Sequence, residues 1–136
     1  METENLNGAL VLIRPDLKDD PIKAQGKVGF IQYAPKSMDG LYVSLLGEQD
    51  GFYKPDELLR MKGKHEIFKD LMENGTSLDA NDFKTLYKIS LLQDRGTTSA
   101  EIQALELARD NPSVWPRTLE SLAPKQNLEL ARTYGR

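Results

Sequence analysis

The sequence has no cysteine and a single histidine, His65. The first absence excludes disulfide bridges, thiolate nucleophiles and cysteine-ligated zinc or iron–sulfur centres, and the second excludes any metal site built on several imidazoles. Charge of one sign is not in excess either: 18 Lys and Arg stand against 21 Asp and Glu, a formal net charge of −3. Cations are not massed locally, with 8 basic and 10 acidic residues through Lys62 and 10 basic and 11 acidic from Gly63 onward. Such a balance repels nucleic acid overall, leaving only a local basic patch as a route to it. No apolar run approaches the ~18 residues of a membrane span. The opening METENLNG is acidic and polar, unlike the basic-then-apolar start of a secretory signal. The expectation is a cytoplasmic chain with no membrane partner.

What is present suffices for a packed core. Of 136 residues, 39% are hydrophobic and 29% charged, and the apolar positions run along the whole chain. That length fits one ordinary domain, or a barrel of about 60 residues joined to a helical unit of similar size. Residues 9–14, Ala-Leu-Val-Leu-Ile-Arg, form a branched apolar run ended by Pro15-Asp16, which reads as a strand. Lys18 to Gln25 is a polar loop. Lys27 to Ala34 and Leu41 to Leu46 read as a hairpin whose connection ends in Asp39-Gly40, and a second pair, Asp50-Gly51, precedes Phe52-Tyr53-Lys54. Pro55 to Lys62 reads as a tight turn over Pro55 to Glu57 and then a closing strand. The competing reading is a helix running from Asp56 towards Met72.

From Gly63 the pattern turns helical. Lys64 to Glu73 carries Ile67, Phe68, Leu71 and Met72 as its apolar stripe and stops at Asn74-Gly75. Asp79 is a good N-cap for the next helix, with Leu78 and Phe83 spaced as a hydrophobic staple. That helix, Ala80 to about Arg95, places Phe83, Leu86, Tyr87, Ser90 and Leu91 on one face, with Ile89 and Leu92 widening it. Thr98 and Glu101 have capping-box spacing and open a third helix that closes at Asn111-Pro112. Trp115-Pro116 starts a short last helix carrying Leu119 and Leu122, and 126–134 reads either as a terminal helix or as a frayed end. The change of pattern near Gly63 divides the chain into 1–62 and 63–136.

The stretch Gly26-Lys27-Val28-Gly29-Phe30-Ile31-Gln32-Tyr33 poses the sharpest question of chemistry. A phosphate loop needs Gly-Lys-Ser/Thr ahead of a helix, and a dinucleotide site needs three glycines there; here a strand follows, so neither applies. The order of an apolar strand, a polar loop, this Gly-x-x-Gly stretch, the strand Leu41 to Leu46 and then Tyr53-Lys54-Pro55-Asp56-Glu57-Leu58-Leu59 resembles SH3-like barrels of the KOW type over residues 8–62. The resemblance implies a five-stranded, strongly bent barrel in which Gly26 and Gly29 permit bending and close backbone approach. It also implies a role with RNA, the ribosome or RNA polymerase. The chain departs from the family in its first loop, where Asp16, Asp19 and Asp20 face only Lys18 and Lys23.

Five aromatic residues, Phe30, Tyr33, Tyr42, Phe52 and Tyr53, gather in the first half. Strand alternation places Val28 and Phe30 on one face and Ile31 and Tyr33 on the other. One reading makes the rings a platform for a peptide or a base, with Tyr33, Tyr42 and Tyr53 as the exposed contacts. The other makes them core and cover for the helices. A helix-turn-helix reading of Gly96 to Leu119 offers one base, Arg117, against Glu120, and yields to a plain helical hairpin. Asp19-Asp20 reads as a solvated turn, Asp79 and Asp82 as helix-terminal acids, and His65 as a surface residue. No pair of groups is placed for acid–base or nucleophilic chemistry.

The fold expected is therefore α+β, an N-terminal SH3-like β-barrel of about five strands followed by three to four packed α-helices. The function expected is non-enzymatic: a protein-interaction or adaptor module binding another protein or peptide through Phe30, Tyr33, Tyr42, Phe52 and Tyr53, with neither cofactor nor metal. Its rival is a KOW-like RNA-, ribosome- or transcription-associated protein, which the acidic charge disfavours. An enzyme of unrecognised type is the remote alternative.

Overall fold

The computed structural model describes residues 6–35, 37, 39–45 and 50–123. It is a mixed α+β chain. Strands β1 (Leu10–Ile13), β2 (Val28–Tyr33), β3 (Leu41–Leu45), β4 (Gly51–Tyr53) and β5 (Leu58–Met61) come first. Helices α1 (Lys64–Asn74), α2 (Ala80–Arg95), α3 (Thr98–Arg109) and α4 (Trp115–Thr118) follow, and β6 (Leu119–Ser121) ends the described elements. The strands form one curled antiparallel sheet in the order β4-β3-β2-β1-β5-β6. The turn expected before β5 is a single 3-10 turn, Pro55–Glu57, in which the Lys54 amide donates to Glu57 Oε1 at 2.9 Å. Residues 58–61 then pair as a strand with both β1 and β6, so the helical reading from Asp56 is set aside.

Both faces of the central strands are buried, which explains why β1 reads Leu-Val-Leu-Ile without alternation. On the inner face, Val11, Ile13, Ile31, Val43, Tyr53 and Leu58 pack together. On the outer face, Leu12, Val28 and Leu59 meet Ile67 of α1, Leu86 and Ile89 of α2, and Ala104, Leu105 and Ala108 of α3. Each apolar group so removed from water contributes roughly 25 cal/mol per Å2. Polar links back this up. Arg109 Nη1, at the end of α3, donates to the Gly26 carbonyl at 3.1 Å.

Gly26 and Gly29 act as expected of backbone devices, each in its own way. Gly26 has φ +81°, in the left-handed region that favours glycine. Gly29 lies where β3 crosses so closely that an added Cβ would sit 2.8 Å from both the Ser44 carbonyl oxygen and Val43 Cγ1.

Several expectations are corrected. The last helix is a single turn, and Leu119 and Leu122 leave it for the sheet: Leu119 pairs with Met61, and the Leu122 amide donates to the Leu58 carbonyl. Thr97, not Thr98, caps α3, its hydroxyl accepting from the Ala100 amide at 3.1 Å. On α1 only Ile67 and Leu71 are buried, while Phe68 and Met72 are exposed. On α2 the buried face is Thr85, Leu86 and Ile89, and Phe83, Tyr87 and Leu91 face outward. The apolar stripes are wider than the surface available to bury them, and the sheet takes only one edge of each. The expected end of β3 at Leu46 and the helix over 126–134 lie outside the described residues.

Candidate functional site

The aromatic residues divide between the two faces of the β2-β3-β4 half of the sheet. Strand β3 alternates: Leu41, Val43 and Leu45 point to the inner core, Tyr42 and Ser44 to the outer face. In β4, Tyr53 points inward and Phe52 outward. Register then brings three rings together, because Tyr42 pairs with Phe52 across β3-β4 and with Tyr33 across β2-β3. The Tyr42 and Phe52 centroids are 4.7 Å apart with planes at 56°, and those of Tyr33 and Tyr42 are 6.4 Å apart at 35°. These are tilted contacts of the kind that aromatic quadrupoles favour.

Tyr33 joins this row against the alternation rule. The β2-β3 register shifts between Ile31 and Tyr33, so Ile31 opposes Val43 while Tyr33 opposes Tyr42. The extra residue, Gln32, reverses the sense of the strand beyond it and moves Tyr33 from the face of Ile31 to the outer face. The expected sharing of a face by Ile31 and Tyr33 is thus corrected. Glycine completes the geometry at the other end: the Phe52 ring lies over Gly40, where an added Cβ would come within 2.1 Å of the ring.

The row remains open to solvent. Tyr33 is 54% exposed, Tyr42 48% and Phe52 55%. It lies on the same side of the sheet as the helices, since Ser44 beside Tyr42 pairs with Phe30, two residues from the helix-covered Val28. Helix α3 packs on β1, β2 and β5, while Tyr42 on β3 and Phe52 on β4 stay about half exposed. Phe30 sits half-buried at that margin, between Leu10 and Ser44 in the ladder.

Tyr53, expected among the exposed contacts, is instead buried at 4% exposure. Its hydroxyl donates to Asp20 Oδ2 at 2.8 Å. Asp20 also accepts from the Ile22 amide at 3.1 Å and the Ala24 amide at 3.0 Å, so it is no solvated turn residue but the knot that ties the loop after β1 to the sheet. Burial and, after it, the Asp20 carboxylate push the Tyr53 hydroxyl well above the usual tyrosine value. Asp19, by contrast, is exposed as expected.

The remaining candidates stay structural in their surroundings. The Asp79 carboxylate accepts from the Asp82 amide at 2.8 Å as the cap of α2, and His65 is exposed on α1. No group of three or more His, Cys, Asp or Glu side chains suited to a metal gathers among the described residues. No described helix is long and apolar enough to cross a membrane. Two features escaped the sequence pattern: the shift at Gln32, for which no local signal exists, and the outward-facing apolar strip of α1 and α2. No known protein family, curated protein or solved structure matches the chain.

Proposed function

We propose that this chain is a non-enzymatic, cytoplasmic protein-interaction module of the adaptor kind, and that it receives an extended peptide segment across the row Tyr33, Tyr42 and Phe52. The observation that carries this reading is the contact of Tyr42 with both Tyr33 and Phe52, all three rings about half exposed at the end of the sheet face away from the helix-packed Leu12 and Val28. Rings set at such spacings leave shallow slots that accept proline or aliphatic side chains, and tyrosine hydroxyls at the rim supply hydrogen bonds to a peptide backbone. A contiguous exposed aromatic patch is also what distinguishes a binding face from scattered apolar residues.

The finer fold belongs to the same proposal. The strand order β4-β3-β2-β1-β5, the 3-10 turn before β5 and the close approach at Gly29 support an SH3-like half-barrel, extended by β6. The KOW-type alternative makes the rings a stacking platform for nucleic acid. In the described segments next to the row, Lys54 stands against Asp39 and Asp50, a balance that does not neutralise phosphate and favours the peptide reading.

The test is a titration of isotope-labelled protein with a proline-rich peptide, followed by nuclear magnetic resonance. Shifts centred on Tyr33, Tyr42, Phe52 and their strand neighbours are expected. Shifts confined to other surfaces, or produced by single-stranded RNA and not by the peptide, count against the proposal.

A further inference from the structure

A second surface, separate from the aromatic row, lies between α1 and α2. Phe68 and Met72 stand on α1 at 53% and 66% exposure, and Tyr87 and Leu91 on α2 at 51% each. Phe68, Leu71, Tyr87 and Leu91 line a groove of about 390 Å3. Phe83 prolongs the apolar strip: its ring stacks on Tyr87 with centroids 6.4 Å apart and planes at 15°, and it covers Gly75, where an added Cβ would lie 2.9 Å from the ring.

The charges on these helices are sorted around the groove. Of the acids on α1 and α2, Glu66 lies 3.8 Å from Lys62, Asp70 accepts from Arg117 on α4 and Asp82 accepts from the Ser113 hydroxyl, while Glu73 is exposed on α1 outside the groove lining. Of the groove's lining residues Asp94 alone is acidic, and it lies 3.9 Å from Lys64. The bases flank the apolar strip. On α1, Lys69 stands three residues before Met72, and on α2 Lys84 and Lys88 stand three before Tyr87 and Leu91, the spacing that makes side chains neighbours on a helix. Arg95 follows Leu91 by four. Lys69, Lys84, Lys88 and Arg95 are exposed and form no ion pair among the described residues. A chain of net charge −3 thus presents an apolar groove flanked by Lys84, Lys88 and Arg95 of α2 and by Lys69 of α1.

We infer that this groove binds an acidic amphipathic helix of another protein. Apolar side chains at i, i+4 and i+7 of that helix enter between Phe68 and Tyr87, and its carboxylates meet the lysines at either border. From Phe83 to Leu91 the strip runs about 12 Å along α2, the length of roughly two turns of bound helix. The charge pattern sets the sign of the partner and makes association salt-dependent.

The probe is a synthetic amphipathic peptide of about 18 residues with leucines at those positions and glutamates between them, beside a twin carrying lysines for glutamates. Binding is read by fluorescence anisotropy at low and physiological salt, on the intact chain, on a Lys84→Glu, Lys88→Glu variant and on Leu91→Ser. These positions are exposed, and circular dichroism checks that each variant stays folded. The acidic peptide is expected to bind and the lysine twin not to, with affinity falling at least about tenfold in each variant and also on raising salt. Equal binding of the twin, no binding of either peptide, or unchanged affinity in the folded variants overturns the inference. So does a groove taken instead by a second copy, seen as a concentration-dependent dimer lost in Leu91→Ser, or by phosphatidylserine vesicles that bind where the acidic peptide does not.

Discussion

The Tyr53 hydroxyl donates to Asp20 Oδ2 at 2.8 Å, and this one bond joins the inner core of the sheet to the loop after β1. Tyr53→Phe keeps the ring and removes one of the three donors that satisfy a buried carboxylate. The expected cost is about 1–3 kcal/mol, read from urea unfolding at neutral pH.

The same bond gives the protein an alkaline limit. The Tyr53 hydroxyl titrates above its ordinary value of 10.0 because burial, and then Asp20, disfavour the phenolate in the folded state. In the unfolded chain it ionises near its ordinary value, so between the two the folded state binds more protons and stability falls as pH rises. The contribution is fully present below pH 10 and is lost progressively above it. Unfolding free energy measured from pH 8 to 11 should decline more steeply in the natural chain than in Tyr53→Phe.

Gly29 and Gly26 separate steric from conformational demand. Gly29→Ala drives a Cβ against the Ser44 carbonyl, backbone that cannot swing aside, and should cost about 1–3 kcal/mol with partial separation of β2 and β3. Gly26→Ala meets only the Arg109 side chain at 3.6 Å, and its cost, about 1 kcal/mol, comes from the left-handed φ. Denaturant midpoints of the two variants compare them directly. Equal, negligible losses would contradict the close crossing of the strands.

Arg117 ties α4 to α1 by donating to both Asp70 oxygens at 2.7 and 2.9 Å. Burial pushes the Asp70 carboxyl up, but hydrogen bonds from Asn74 and Arg117, with the charges of Arg117 and Lys62, outweigh it and hold it below the ordinary carboxylate value. A lowered value in the folded state stabilises above the unfolded value and is lost as pH falls through the folded one. Because the pair is partly exposed, the effect should be small, about 0.2–1 kcal/mol. Acid unfolding of Asp70→Asn below pH 4 should be correspondingly shallower than that of the natural chain.

Local signals were enough for most elements and insufficient for their faces. The Pro55 turn and the Asp79 cap act over a few residues, and the elements they bound follow from them, whereas Gly51 of the second Asp-Gly pair lies within β4 and has no positive φ. The strand Leu119–Ser121 depends on an edge offered by β5, sixty residues away in sequence register, and no short window contains that information. The site was legible in composition and not in placement. Tyr42 and Phe52 face outward by simple alternation, whereas Tyr33 reaches them only through the shift at Gln32. Tyr53 alternates to the inner face of β4, where Asp20 of the loop after β1 receives its hydroxyl. Likewise Phe68, Tyr87 and Leu91 look like core in periodicity, and only the packed structure shows that α1 and α2 leave that edge uncovered.

The most direct test of the aromatic row is calorimetric titration of a proline-rich peptide into the natural chain and into Tyr42→Ser, the ring that touches both others. Tyr42 is half exposed, so the variant should remain folded, losing about 1 kcal/mol of cross-strand ring contact. The expected result is measurable binding to the natural chain and at least about a tenfold loss in Tyr42→Ser, because the centre of an aromatic contact is removed. Equal affinity for the two folded proteins would contradict it and leave the three rings as a purely structural ladder.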